Sequence, residues 1–216
     1  MNNLKAIIFD FDGVILESVH IKTDAFLELF RAYPQHLNAI KAYHLENGGV
    51  SRFVKFRWIY NELLKESIDE TQILALGERF SQLVFSKILS APFVPGAVEF
   101  LDFCRDRFYC FIASGTPEEE LRKIVTQRGL AEFFNEVKGT PDSKINIVDE
   151  LCGKYKINPT ECLFIGDAMT DYQAARATGT YFVARNTSEM ESNWRSLQVS
   201  MVENLMEVVP LINGQH

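Results

Sequence analysis

The stretch Ala6-Ile7-Ile8-Phe9-Asp10-Phe11-Asp12-Gly13-Val14 constrains this chain more than any other. An apolar run, short enough to be a buried strand, breaks off abruptly in two carboxylates and a glycine. Ionised carboxylates are costly to bury without a partner, so their place at the end of a core strand implies work. In a parallel α/β sheet, ligands bind at the carboxyl ends of the strands. Alternation along a strand puts Asp10 and Asp12 on one face with Phe11 turned away, and the expectation is a catalytic edge.

The texture of the chain then changes twice. From Val19 to about Leu89 it reads as helix: Phe26, Leu27, Leu29 and Phe30 recur at helical spacing, followed by Phe53, Phe56, Ile59, Tyr60, Leu63 and Leu64, and by Leu76, Phe80, Leu83 and Val84. Tyr33-Pro34 and Gly48-Gly49 read as connectors. Beyond Ala91-Pro92-Phe93-Val94-Pro95-Gly96 the expected elements alternate. Helix Ala97–Arg105 precedes strand Tyr109–Ala113, and helix Glu118–Arg128 precedes a short strand at Glu136-Val137. Then come helix Ile145–Tyr155, strand Cys162–Ile165, helix Tyr172–Ala177 and strand Thr180–Ala184. Such alternation predicts a doubly wound parallel sheet of the α/β class. The expected organisation is a catalytic core over residues 1–16 and 92–216 with an inserted helical cap over 17–91.

Composition fits a globular enzyme: of 216 residues, 47% are hydrophobic and 24% charged, enough for one core and an insertion. The net charge of −7 argues against a broad nucleic-acid footprint, while leaving room for a local basic pocket. No apolar stretch approaches a membrane span. Met1-Asn2-Asn3-Leu4-Lys5 lacks the pattern of a secretory signal. Cys104, Cys110, Cys152 and Cys162 form no C-x-x-C pair, as reduced core thiols do not. A cytoplasmic location is expected; the oligomeric state is left open.

Three further clusters complete a constellation. Tyr109-Cys110-Phe111-Ile112-Ala113 ends in Ser114-Gly115-Thr116, Cys162-Leu163-Phe164-Ile165-Gly166 ends in Asp167 with Asp171 following, and Lys144 stands at the start of an amphipathic helix. Carboxylates, a hydroxyl and an ammonium together suit phosphoryl transfer, whose charge-dense group needs positioning and neutralisation. A carboxylate nucleophile alone would repel its substrate, and Mg²⁺, a hard cation that takes oxygen ligands, relieves this. In this reading Asp10 attacks phosphorus to form an aspartyl-phosphate, and Asp12 serves as general acid and then base. Ser114 and the Gly115 N–H bind phosphoryl oxygens, Lys144 offsets negative charge, and Asp167 anchors Mg²⁺. Asp171 is either a further metal ligand or the holder of a metal-bound water.

At these residues the chain resembles the haloacid dehalogenase-like superfamily, in particular its phosphatases with a small helical cap. Asp10-Phe11-Asp12-Gly13-Val14 is similar to the family's first motif, Ser114 to the second, Lys144 to the third, and Gly166-Asp167-Ala168-Met169-Thr170-Asp171 to the fourth. Val94-Pro95-Gly96-Ala97 looks like the return from cap to core. The resemblance implies Mg²⁺ held by Asp10, the backbone carbonyl of Asp12, and Asp167, and a small phosphorylated metabolite, such as a sugar phosphate or phosphoglycolate, as substrate. Of the two lysines in Lys138-Gly139-Thr140-Pro141-Asp142-Ser143-Lys144, Lys144 begins the helix and has the more usual spacing from Asp167. Gly49-Val50-Ser51-Arg52 resembles a substrate-contacting stretch of the β-phosphoglucomutase cap, which makes Arg52 a candidate contact. Lys22 falls where such a mutase carries a histidine acid/base and is the second cap candidate.

Each residue also has a plainer reading. Ser114 could cap a helix, Thr116-Pro117 reads as the cap of the helix that follows, and Asp171 could be a first-turn acid. Arg52, Lys55 and Arg57 form a charge cluster of the kind that is usually a solvated face. His20, His36, His44 and His216 show no metal-ligand spacing, and Trp58 and the cap phenylalanines read as core. A phosphomutase shares the expected core, but Lys22 in place of histidine speaks against it. A haloacid dehalogenase needs neither Asp12 nor so acidic a metal site. A signalling receiver domain places its phosphorylated aspartate on a later strand and has no such insertion.

Overall fold

Strand β1 (Ala6–Phe9) is buried at every position. In the computed structural model it lies at the centre of a parallel sheet, flanked by β2 (Tyr109–Pro117) and β4 (Cys162–Gly166). Residues 3–188 and 190–214 are described; Met1, Asn2, Glu189 and the terminal Gln215 and His216 lie outside them. With β3 (Glu136–Thr140), β5 (Tyr181–Arg185) and β6 (Met201–Val202), the strand order is β3-β2-β1-β4-β5-β6. The chain winds outward in one direction through β1, β2 and β3 and in the other through β4, β5 and β6. The switch therefore falls between β1 and β4, where an α/β sheet opens a crevice at its carboxyl end. Phe9 pairs with Ile165 there, and the Asp10 N–H donates to the Ile165 carbonyl at 2.9 Å.

After β1 the chain first forms a group of four α-helices: α1 (Val19–Leu29), α2 (Leu37–Glu46), α3 (Arg52–Trp58) and α4 (Glu70–Leu89). A π-helical turn at Ile59–Leu64 extends α3, and an Asp69–Gln72 capping box starts α4. Phe26, Phe30, Phe56 and Phe80 hold these helices together; the Phe26 ring lies 5.0 Å from Phe80 and 5.5 Å from Phe56. Each such buried side chain contributes about 1.5–3 kcal/mol, so the aromatic positions act as core. Trp58 stacks on Tyr43 at 3.6 Å.

The remaining helices are α5 (Ala97–Cys104), α6 (Glu118–Gln127), α7 (Lys144–Tyr155), α8 (Met169–Thr178), α9 (Glu191–Ser196) and α10 (Val208–Ile212). The structure corrects several sequence boundaries. Strand β2 does not end at Ala113 but runs through Ser114-Gly115-Thr116 to Pro117, with a register shift against β3 between Ala113 and Pro117. Strand β3 reaches Thr140, and α8 begins at Met169. The sheet gains β6, whose two residues carry no strand signal in the sequence. All four cysteines are free and buried, and among the described residues no helix is long and apolar enough to cross a membrane.

Candidate active site

The ends of β1 and β4, the second half of β2 and the start of α7 converge at the switch point. Asp10 follows β1 directly, and its Oδ1 accepts the Phe11 N–H at 2.6 Å. The turn after it depends on Gly13, at φ +78°: a Cβ there would come within 2.1 Å of Asp167 Oδ2. Glycine adopts this backbone without strain, and its bareness lets the β1 turn close onto the carboxylate that follows β4.

Lys144 opens α7, whose N-cap Ser143 accepts the Asn146 N–H at 3.2 Å. Its ammonium lies 2.8 Å from Asp10 Oδ2 and 2.5 Å from Asp171 Oδ1. Burial alone would lower the Lys144 pKa, but Asp10 and Asp171 more than reverse this and hold it firmly charged. Lys138 pairs instead with Glu150 at 2.7 Å and does not join the site. Asp171, fully buried in the first turn of α8, also accepts the Ala168 N–H at 3.1 Å. It thereby serves as the first-turn acid of α8 and pairs with Lys144 at once.

Carboxylate oxygens of Asp10, Asp167 and Asp171 lie within 4.8 Å of one another. Asp167 has no Lys, Arg or His at ion-pair distance among the described residues. Burial, then Asp10 and Asp171, push its carboxyl well above the usual range. A set of hard oxygen donors with one uncompensated carboxylate fits a small divalent cation.

Asp12 stands apart from that cluster. Its Oδ1 accepts from Ser18 Oγ at 2.6 Å, and its Oδ2 accepts from Thr116 Oγ1 at 3.1 Å and from the Lys22 ammonium. Burial raises the Asp12 carboxyl, and Lys22 with these hydrogen bonds brings it below its ordinary value. Thr116, expected to cap α6, instead accepts from Lys22 at 2.7 Å and donates to Asp12; the residue preceding α6 is Pro117, without a side-chain cap. Ser114 is buried, and its Oγ accepts the Thr116 N–H at 3.2 Å.

The inserted helices sit directly on this site. A Cβ on Gly115 would approach the Gly49 carbonyl oxygen to 2.3 Å, one on Gly49 (φ +73°) would meet Thr170 Oγ1 at 2.1 Å, and Thr170 donates to the Gly48 carbonyl at 2.9 Å. Gly48-Gly49, read from the sequence as a connector, is thus one of the places where the insertion touches the core. A cavity of about 770 Å³ remains, walled by Asp10, Asp12, Ser114, Gly115 and Asp167 below and by Lys22, His44, Arg52 and Lys55 above. Arg52 lines it, but its guanidinium is engaged by Glu120 and Ser81. Arg57 lies outside it, paired with Glu70. Of the four histidines, His44 is buried at the cavity wall, and His216 lies outside the described residues.

The order of motifs and the geometry find their counterpart in a family model for haloacid dehalogenase-like hydrolases, which matches residues 4–179. The chain belongs to that family. This haloacid dehalogenase-like hydrolase is similar to the phosphoglycolate phosphatase of Vibrio cholerae, 26% identical over 191 residues and covering 84% of each chain. It is also similar to that of Haemophilus influenzae, 24% identical over 206 residues, covering 88% of this chain and 91% of the relative. Among solved structures, a predicted phosphoglycolate phosphatase from Haemophilus somnus superposes with a TM-score of 0.74 at 17% identity, covering 98% of this hydrolase and 99% of that chain. The β-phosphoglucomutase of Clostridium difficile does so with a TM-score of 0.71 at 18% identity, covering 93% and 91%. These structural likenesses establish the shared fold.

Proposed function

We propose that this hydrolase is a Mg²⁺-dependent phosphatase of a small phosphorylated metabolite, acting through an aspartyl-phosphate on Asp10. The observation that carries the reading is the Lys144 bridge between Asp10 and Asp171 beside the unpaired Asp167. The phosphoglycolate phosphatase names of the relatives support it and point to a small, anionic ester. In this reading residues 1–16 and 92–216 are the catalytic core and 17–91 the cap. Four free, buried cysteines accord with the reducing cytoplasm.

Asp10 and Asp167, with the backbone carbonyl of Asp12, would hold the Mg²⁺, and Asp171 supports them through Lys144. Bound there, the cation offsets the repulsion between the carboxylates and the phosphoryl group. An Asp10 oxygen attacks phosphorus as the ester P–O bond breaks. Ser114 Oγ–H and the Gly115 N–H hold phosphoryl oxygens, and Lys144 balances the charge gathered at Asp10. Asp12 gives its proton to the leaving alkoxide, then takes one from the water that attacks the phosphoenzyme, releasing phosphate and restoring Asp10. The first step needs protonated Asp12, and the negative charge of the entering ester beside the carboxylate favours uptake of that proton from solvent. A lysine on Asp12, in place of a second acid/base, favours transfer to water over transfer to a sugar.

The test is an acid quench during turnover with 2-phosphoglycolate and Mg²⁺, followed by peptide mass spectrometry. A phosphoryl adduct on the peptide containing Asp10 is expected. Turnover with no adduct in any quenched sample, and with Asp10→Asn still active, overturns the mechanism.

A further inference from the structure

The cations around the cavity are not equally occupied. Lys144 is taken by Asp10 and Asp171, Lys22 by Asp12, and Arg52 by Glu120. Arg52 also lies over the Phe80 ring, 4.5 Å from its centroid. One turn along α3, on the same face as Arg52, Lys55 is 2% exposed and lines the same cavity as Asp10. Its ammonium is 3.0 Å from His44 Nδ1 and 3.0 Å from the His44 carbonyl. Among the described residues lining the cavity, it is the one buried cation with no carboxylate at ion-pair distance.

An ammonium has three donors, and His44 accounts for two. We infer that Lys55, backed by His44, is the receptor for a second oxyanion on the substrate, a group carried by the leaving alcohol at the end of the cavity away from the reacting phosphorus. The inference rests on the phosphatase reading and names the substrate class it left open. A buried charge without a counter-ion is expensive, and an arriving oxyanion removes that cost, so binding energy concentrates on substrates that carry one. A neutral leaving group leaves the ammonium as it was.

The surroundings of the pair agree. Burial, then Lys55 and Lys22, push the His44 imidazole down to about 3 against a small opposing effect of Asp12, so neutral His44 presents Nδ1 as an acceptor. Burial, followed by Lys22 and Lys144, lowers the Lys55 ammonium to about 7, with Asp167 opposing. Lys55 lines the same cavity as Asp10 and Asp167, so the catalytic centre and this lysine face one common space.

The test compares 2-phosphoglycolate, whose second group is a carboxylate, with ethylene glycol bisphosphate, whose second group is a phosphate, and with 2-hydroxyethyl phosphate, whose second group is a neutral hydroxyl. Binding is measured by calorimetry in the presence of Mg²⁺ to Asp10→Asn and to Asp10→Asn with Lys55→Met or Lys55→Arg, each checked for a folded circular-dichroism spectrum. Lys55→Met should cut the preference for anionic over neutral ester by tenfold or more, Lys55→Arg should retain part of it, and the anionic ester with the larger loss identifies the oxyanion. An unchanged preference in Lys55→Met overturns the inference. Because binding to Asp10→Asn needs no turnover, that result is separate from a failure of the wild-type protein to hydrolyse all three esters, which would overturn the phosphatase reading instead.

Discussion

Arg52 of α3 and Glu120 of α6 join the helical insertion to the sheet domain through a two-pronged ion pair, with nitrogen–oxygen distances of 2.7 and 3.0 Å. Ser81 of α4 completes it, donating to Glu120 Oε2 at 2.5 Å and accepting from Arg52 at 2.8 Å. The side chains are 4% and 11% exposed, so their charges are desolvated and depend on each other. The arginine that the sequence offers as a substrate contact is, in this conformation, a fastening between the two parts of the molecule.

Removing one partner of a buried pair strands the other charge, at a cost of about 3–5 kcal/mol. Glu120→Ala should therefore lower the urea-unfolding free energy by an amount in that range. A loss below about 1 kcal/mol would mean that the pair is solvated in solution and holds nothing together.

Lys144 should be indispensable to turnover. With Lys144→Met, Asp10 and Asp171 confront each other and Asp167 without a fixed positive charge. Losing such a preorganised group costs about 10²–10³-fold in kcat, read by phosphate release at saturating substrate. A fall of less than tenfold would show that the ammonium does not act on the reacting group.

Gly115 should tolerate no side chain. Its Cβ would meet backbone, the Gly49 carbonyl oxygen at 2.3 Å, so Gly115→Ala must lift the insertion from the site. Misplacement on the scale of an ångström can cost about 10²-fold, and kcat/KM should fall by that order with the melting temperature nearly unchanged. Wild-type kcat/KM in Gly115→Ala would mean that turnover does not require this contact.

The gathering of acids at the ends of β1 and β4 was legible because its signal is local: an apolar run that is buried and then ends in an acid is costly for a purely structural strand. Lys144 was legible through its place at a helix start. The full length of strand β2 was not legible because Gly115 and Pro117 belong to types poor in strands, and the pairing of Pro117 with Thr140 across a register shift leaves no periodic trace. Lys55 and Arg52 were hidden for another reason. Basic residues at helical spacing look like a solvated face until the partner is known, and Glu120 lies 68 positions from Arg52. Thr116 and Gly48-Gly49 carried turn and cap signatures that tertiary contacts put to other use.

Lys55 should also govern how stability changes with pH. Its pKa is lowered to about 7 in the folded protein from 10.5, so between those values the unfolded chain binds more protons and stability rises with pH. The cost of the buried ammonium is fully present below about pH 7 and gone above about pH 10.5. Lys55→Met should therefore be more stable than the wild type at pH 6, by about 2–4 °C for each kcal/mol gained, with the difference shrinking towards pH 10. Thermal melts of both proteins across that range check this, and a difference that is independent of pH would contradict it.

Phosphate release from 2-phosphoglycolate by the wild-type protein and by Asp10→Asn, each with Mg²⁺ and after chelation, decides whether Asp10 and the cation together carry the reaction. Turnover is expected only in the wild type with Mg²⁺ present. Undiminished turnover by Asp10→Asn, or by the chelated wild type, would contradict the aspartyl-phosphate mechanism at its root.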